Sequence, residues 1–260
     1  ESAKSIAFTY RNEELAEDLK NEMQKINPNL SINSFFCDFS VQDSIRECAD
    51  KIKNDLKAID LLINNAGVVN TEYSETIDGI ENTFAVNHLG YFLFTNLLLD
   101  LVKKESESRI INVSSAAHHF VKGMQWDDIN YKDDFKMGLK AYGQSKLGNI
   151  LFTKQLAKKL QKDGVTVNAI HPGGVNTSLG NQNNSLLGRV LKMILKPFFR
   201  SPLKGANTII YLAEIDGLSI TGAYWVDGRV AKTSHYSKNE AEAEKLWRLS
   251  EKLVNQEFDI

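Results

Sequence analysis

Tyr142 and Lys146 stand four residues apart in the run Tyr142-Gly-Gln-Ser-Lys146. On a helix that spacing puts both side chains on one face, with an ammonium near a phenol oxygen. A neighbouring cation favours phenolate and lowers a phenol pKa that is ordinarily about 10. Tyr142 is therefore a candidate general acid/base near neutral pH. The pair alone is a weak signal: about 0.7 such pairs are expected by chance in a chain of this composition, and a solvated helix face explains one equally well. The rest of the chain adds to it. Ile110-Ile111-Asn112-Val113 ends in the hydroxyl pair Ser114-Ser115, which lies 27 residues before Tyr142. Another apolar run ends in Asn64-Asn65-Ala66-Gly67, where small residues let a ligand approach backbone. Asn87 sits inside a long apolar segment, and a fourth run ends in His171-Pro172-Gly173-Gly174, with Thr177 just beyond.

These residues converge only if the apolar runs are parallel strands. Short runs do alternate with helical patterns. Ser5–Tyr10, Leu30–Cys37, Ile59–Ile63, Arg109–Val113, Val165–Ile170 and Ala223–Val226 read as strands, with Ile59–Ile63 of the fully buried kind. Glu13–Ile26 reads as a helix: Leu15, Leu19, Met23 and Ile26 share a face, and Asn12 stands where an N-cap belongs. Val41–Leu56, Leu139–Gln161, Leu203–Ala213 and Ala241–Val254 read as further helices, and Ile77–Val102 contains a long one. Apolar strands separated by helices predict a parallel sheet covered on both faces. Open sheets of that kind bind ligands at the carboxyl ends of their strands, where the polar and glycine-rich turns fall.

Composition narrows the classes. The chain has 260 residues and a formal net charge of −2, which argues against a basic nucleic-acid-binding surface. Cys37 and Cys48 are its two cysteines, too few for a disulfide scaffold, and they fit a reducing compartment as core filler. No metal-ligand pattern involves them or the histidines, and His88, His118 and His119 read as packing or loop residues. No run of about 18 purely apolar residues stands out as a bilayer span.

The constellation resembles the short-chain dehydrogenase/reductase family. The resemblance rests on N-N-A-G at 64–67, Asn87, the N-V-S-S run ending at Ser115, Y-x-x-x-K at 142–146 and the Pro172-Gly173 turn. It covers essentially the whole chain. NHLGYFLFTNLLLDL at 87–101, RIINVSSAAH at 109–118 and HPGGVNTSL at 171–179 look like the retinol-dehydrogenase branch. The resemblance implies a single Rossmann-like, doubly wound α/β domain over residues 1–260. It implies that Tyr142 exchanges a proton with the substrate oxygen, and that Lys146 lowers the Tyr142 pKa and bonds the nicotinamide ribose. Ser115 would orient the carbonyl, and Asn87 would complete a water-linked proton relay. Asn65, Ala66, Gly67, Pro172, Gly173 and Thr177 would line the cofactor. Hydride transfer belongs to the cofactor.

In this family the residue closing the second strand selects between NADP(H) and NAD(H). Here the chain reads Tyr10-Arg11-Asn12, and the planar guanidinium of Arg11 suits a 2′-phosphate. NADP(H) is thus expected over NAD(H), with Asp38 contacting adenine; the alternative makes Arg11 a surface cation. The family opens with a strand and a T-G-x-x-x-G-x-G turn, whereas the first glycine here is Gly67. The expected consequences are a sheet divided where that strand belongs and weak cofactor binding by the chain as given. A partial or mis-spliced enzyme is favoured over a degenerate, non-catalytic family member acting as an interaction protein.

Residues 179–202 follow the Pro-Gly turn, where the family places its substrate lid. The stretch Leu186–Arg200 mixes leucine, isoleucine and phenylalanine with Arg189, Lys192, Lys196 and Arg200. Such a lid suits a lipophilic carbonyl or alcohol (a retinoid, a steroid or a medium-chain aldehyde) and also a membrane surface. The resemblance further allows a homodimer through the long helices. It points to an intracellular location, in the cytoplasm or on the cytoplasmic face of a membrane such as the endoplasmic reticulum.

Overall fold

The computed structural model describes residues 3–105, 107–173 and 201–260. Thr177 and nearly all of the 179–202 lid lie outside them.

The first unit is β1 (Ser5–Tyr10), α1 (Glu13–Ile26) and β2 (Ser31–Phe36). The expected cap is present: Asn12 Oδ1 accepts the Leu15 N–H at 3.0 Å. Glu13 and Glu14 add favourable charge to that helix end. α2 (Gln42–Asp55) leads to β3 (Leu61–Asn64).

Within 77–102 the long helix starts at Asn82. Gly79, at φ 74°, permits a turn closed by Thr76 N–H to Ile80 O at 2.8 Å. The buried Glu81 then caps, its two carboxylate oxygens accepting from Thr83 and Phe84 N–H at 2.7 Å each. From that cap run α3 (Asn82–Phe84), a π turn (Ala85–Leu89) and α4 (Gly90–Val102). Asn82–Val102 is long and apolar enough to cross a bilayer, yet 89% of its most apolar window is buried inside the fold. It is the core helix.

After it come β4 (Arg109–Val113), α5 (Leu139–Lys159), β5 (Thr166–His171), α6 (Pro202–Glu214), β6 (Tyr224–Val226), β7 (Arg229–Val230) and α7 (Glu240–Leu253). The main sheet has the order β3-β4-β5-β6-β7 and is parallel except for β7, which turns back antiparallel on β6. β1 and β2 form a separate parallel pair, and no ladder joins β1 to β3 among the described residues.

Side chains alternate across the strands. Ile110 and Val167 face a core shared with α2, α4, α5 and α7, where Phe92, Phe152 and Trp247 meet edge-on or stacked with ring centroids 4.9–5.9 Å apart. Ile111, Val113 and Ile170 face the other way, onto Leu212 of α6 and Trp225. The sheet is therefore wound on both sides. β3 corrects one expectation: Ile63 is 40% exposed, so Ile59–Ile63 is not buried on both faces. Cys37 and Cys48 are buried free thiols.

Candidate active site

β4 and α5 build the centre. Ser114 Oγ donates to the Lys146 carbonyl at 2.7 Å, while Lys146 Nζ and Asn149 Nδ2 donate to the Val113 carbonyl at 3.1 and 3.2 Å. The strand end and the second helical turn are thus bonded in both directions. Beneath them a closed polar network runs through the sheet. Asn64 Nδ2 donates to Thr95 Oγ1 and Asn112 Oδ1, and Asn112 Nδ2 donates to Thr153 Oγ1, all at 2.7–2.9 Å. Satisfied networks of this kind fix one register. Ser114 and Asn112 are scaffold.

Lys146 Nζ lies 5.6 Å from the Tyr142 ring centroid and 5.8 Å from that of Tyr91. Ser115 opens the 3-10 turn Ala116–Phe120, its Oγ accepting the Ala117 N–H at 3.2 Å. Its hydroxyl stands beside the Tyr142 phenol. The expected depression of the Tyr142 pKa is absent here. Burial pushes the phenol above its ordinary value, and the Ser115 hydrogen bond pulls it only part of the way back. Lys146 cannot reverse this, because burial has brought its own pKa down to about 7 and so weakened its charge at neutral pH.

Asn87 projects from the π turn. Its Oδ1 accepts the Val68 N–H at 2.8 Å, and its Nδ2 donates to Val68 O at 2.9 Å and Ser145 Oγ at 3.1 Å. The amide therefore pins the loop after β3 to α5. Asn65 and Ala66 begin that loop, and Gly67 follows them. A Cβ at Gly67 would sit 3.2 Å from Asn87 Oδ1 and 3.7 Å from Lys146 Nζ. That hydrogen-only position keeps a floor open above the ammonium. An ammonium has three donors and Val113 takes one, so the space and the donor chemistry fit a ribose hydroxyl there.

The adenosine candidates also meet. Arg11, from the end of β1, lies 3.8 Å from Asp38 Oδ1, just past β2. Asp38 is held by Ser40, whose N–H and Oγ donate to Oδ1 at 2.9 and 2.7 Å. A half-exposed guanidinium beside a fixed carboxylate fits the polar end of an adenosine phosphate. Pro172 and Gly173 follow β5, with Gly173 at φ 82°.

Sequence reasoning missed several residues around this centre. Tyr91 flanks Lys146 with a buried hydroxyl that has no hydrogen-bond partner among the described residues. Phe120, 59% exposed, comes within 3.2 Å of the Cβ position of Gly143, the residue after Tyr142. Exposed Met137 and Leu139 lead into the same helix. No spacing rule singles out such residues.

Comparison with known proteins agrees with this geometry. The family profile described as enoyl-(acyl carrier protein) reductase matches residues 1–228. The chain is 39% identical to human "Retinol dehydrogenase 13" over 259 residues, covering 97% of this chain and 78% of that protein. It is 41% identical to mouse "Retinol dehydrogenase 14" over 216 residues, which is 81% of this chain but 64% of the mouse protein. Among solved structures, an uncharacterized protein from Mycobacterium paratuberculosis superposes with a TM-score of 0.72 at 27% identity, covering 99% and 95% of the two chains. Identity at that level along nearly the whole length, on a doubly wound sheet with Ser115, Tyr142 and Lys146 at one strand end, means that the chain belongs to the short-chain dehydrogenase/reductase family of oxidoreductases, in its retinol-dehydrogenase-like branch.

Proposed function

We propose that this chain interconverts a lipophilic carbonyl compound and its alcohol with NADP(H), and that Tyr142 exchanges the proton. The observation that carries the reading is the meeting of Ser115, Tyr142 and Lys146 where β4 ends against α5. When bound, the nicotinamide gives or takes the hydride. Tyr142 Oη gives its proton to the carbonyl oxygen during reduction and recovers it in the reverse direction. A phenol whose pKa burial has raised stays protonated at neutral pH, the form that carbonyl reduction draws on. Ser115 Oγ orients the same oxygen. Lys146, with a pKa near neutrality, holds a proton next to the phenol and offers its remaining donors to the ribose. Asn87 keeps the Asn65–Gly67 turn in place through Val68.

The exposed apolar Phe120, beside Gly143, supports a lipophilic substrate, as do the names of the relatives. The relatives are named as dehydrogenases, which lends a non-catalytic role no support. Arg11 supports NADP(H) over NAD(H), since a fixed fork suits a 2′-phosphate.

One steady-state experiment tests both parts: retinal or a medium-chain aldehyde, with NADPH and with NADH, on wild type, Tyr142→Phe and Arg11→Ala. Tyr142→Phe is expected to lower kcat by about 10²–10⁴. Arg11→Ala is expected to raise the KM for NADPH about tenfold or more and leave that for NADH unchanged, the loss of one charged hydrogen bond. Undiminished turnover in the first variant removes Tyr142 from the chemistry, and unchanged cofactor selectivity in the second removes the NADP(H) preference.

A further inference from the structure

We infer that His118 is a positioning residue for Ser115, donating to the serine's backbone carbonyl from an imidazole whose tautomer the Ser234 N–H fixes. The inference rests on the reading of Ser115 as the residue that orients the carbonyl. His118 lies three residues past Ser115 in the 3-10 turn that Ser115 opens, and it is fully buried. Its Nδ1 is 2.6 Å from the Ser115 carbonyl, and its Nε2 accepts the Ser234 N–H at 3.2 Å. The second contact settles the ring proton. A nitrogen that accepts from a backbone N–H carries no hydrogen, so Nδ1 carries it and donates to Ser115. Burial draws the imidazole pKa down to about 4, which keeps it neutral in that form.

Every side of this ring is held. The His119 ring lies against it at 4.0 Å and Tyr224 meets it edge-on at 5.1 Å between centroids. The Ser115 carbonyl also accepts the backbone N–H of His118 at 3.2 Å. Ser234 is fixed in turn by Ser237, whose Oγ donates to its carbonyl at 2.8 Å. A continuous chain of bonds thus runs from Ser237 through Ser234 and His118 to Ser115, beside the Tyr142 phenol. Ser115 Oγ is placed by its own backbone, and a displacement of about 1 Å at such a group can cost 10²-fold in rate.

Two isosteric halves of the imidazole separate positioning from core filling. An asparagine amide in place of the ring would reach the Nδ1 position and still donate to Ser115; a glutamine amide reaches the Nε2 position and keeps only Ser234. The test therefore compares His118→Asn and His118→Gln with wild type. His118→Gln is expected to lower kcat about tenfold or more with the cofactor KM within about twofold, while His118→Asn stays within about threefold of wild-type kcat. Wild-type kcat in His118→Gln, or equal losses in both variants that follow their melting temperatures, would overturn the assignment of positioning to the bond on Ser115. Nitrogen NMR of the imidazoles in the wild-type chain reads the geometry without turnover. The hydrogen on Nδ1 supports the inference, and the hydrogen on Nε2 refutes it. If wild type turns over no carbonyl with either cofactor, the functional reading falls, and the imidazole spectrum still decides the contact.

Discussion

Lys146 is the costliest residue in the site. Its ammonium is buried, Val113 O is the one acceptor bonded to it among the described residues, and burial alone accounts for its fall from an ordinary pKa of 10.5 to about 7. The unfolded chain binds more protons than the folded one between those two values. Stability therefore rises with pH from about 7 to 10.5, and the full cost of the buried charge is felt below 7. Lys146→Met removes that cost. Val113 O keeps a partner, since Asn149 Nδ2 donates to it at 3.2 Å. The variant should melt higher than wild type at pH 6 by the equivalent of about 1–4 kcal/mol, lose the pH slope between 7 and 10, and lose turnover. Thermal melts of both proteins across that range check this; a lower melting temperature at every pH would make Lys146 a structural asset. The Tyr142–Lys146 pairing was legible in the sequence because helical spacing alone sets it. The direction of the Tyr142 pKa was not, because desolvation depends on what the fold packs around the ring.

At the scale of elements, the proposed catalytic geometry depends on how closely α5 approaches the turn after Ser115. Gly143 makes that approach possible: a Cβ there would meet the Ala117 carbonyl at 2.8 Å and Phe120 Cβ at 3.2 Å. Gly→Ala in a helix interior ordinarily stabilises by about 0.5–1 kcal/mol. Here the added methyl meets backbone, which yields little. Gly143→Ala is expected to lower both the melting temperature and kcat, the latter about tenfold or more, by forcing Ser115 away from Tyr142. Circular dichroism should stay unchanged. A stabilised, fully active variant would show that the two elements can part without harm. The same physics explains which elements the sequence revealed. Asn12 announced α1, and apolar runs announced β4 and β5, because those signals are local. The π turn bearing Asn87 has no local signature, and the apolar pattern of 77–102 does not fix where its helix starts; Gly79 and the Glu81 cap do. β7 carries a local signal too: Asp227-Gly228, at φ 51° and 70°, is a hairpin turn.

At the scale of the molecule, the strands of the described residues form two sheets of unequal burial. Motif spacing says nothing of how much each sheet is exposed; that follows only from the packing. Ile110, Val167 and Ile170 are fully buried in the main sheet. In the β1–α1–β2 unit, α1 buries only Ala16, and its Leu15 and Ile26 are 67% and 79% exposed. A unit with so little apolar surface removed from water opens more cheaply than the rest. Amides of residues 5–26 should therefore exchange first in native-state hydrogen exchange, with an opening free energy lower by about 2 kcal/mol or more than those of β4 and β5. The unit also carries Arg11, with Asp38 just beyond it. A ligand held by those two residues stabilises the closed unit by mass action, about 2.7 kcal/mol at a hundred times its Kd. NADPH should accordingly slow exchange over residues 5–26 more than over β4 and β5, and NADH should do so less. Equal protection of both sheets without ligand would mean that the β1–β2 pair is no weaker than the main sheet, and protection by NADPH confined to β4 and β5 would detach Arg11 from the cofactor.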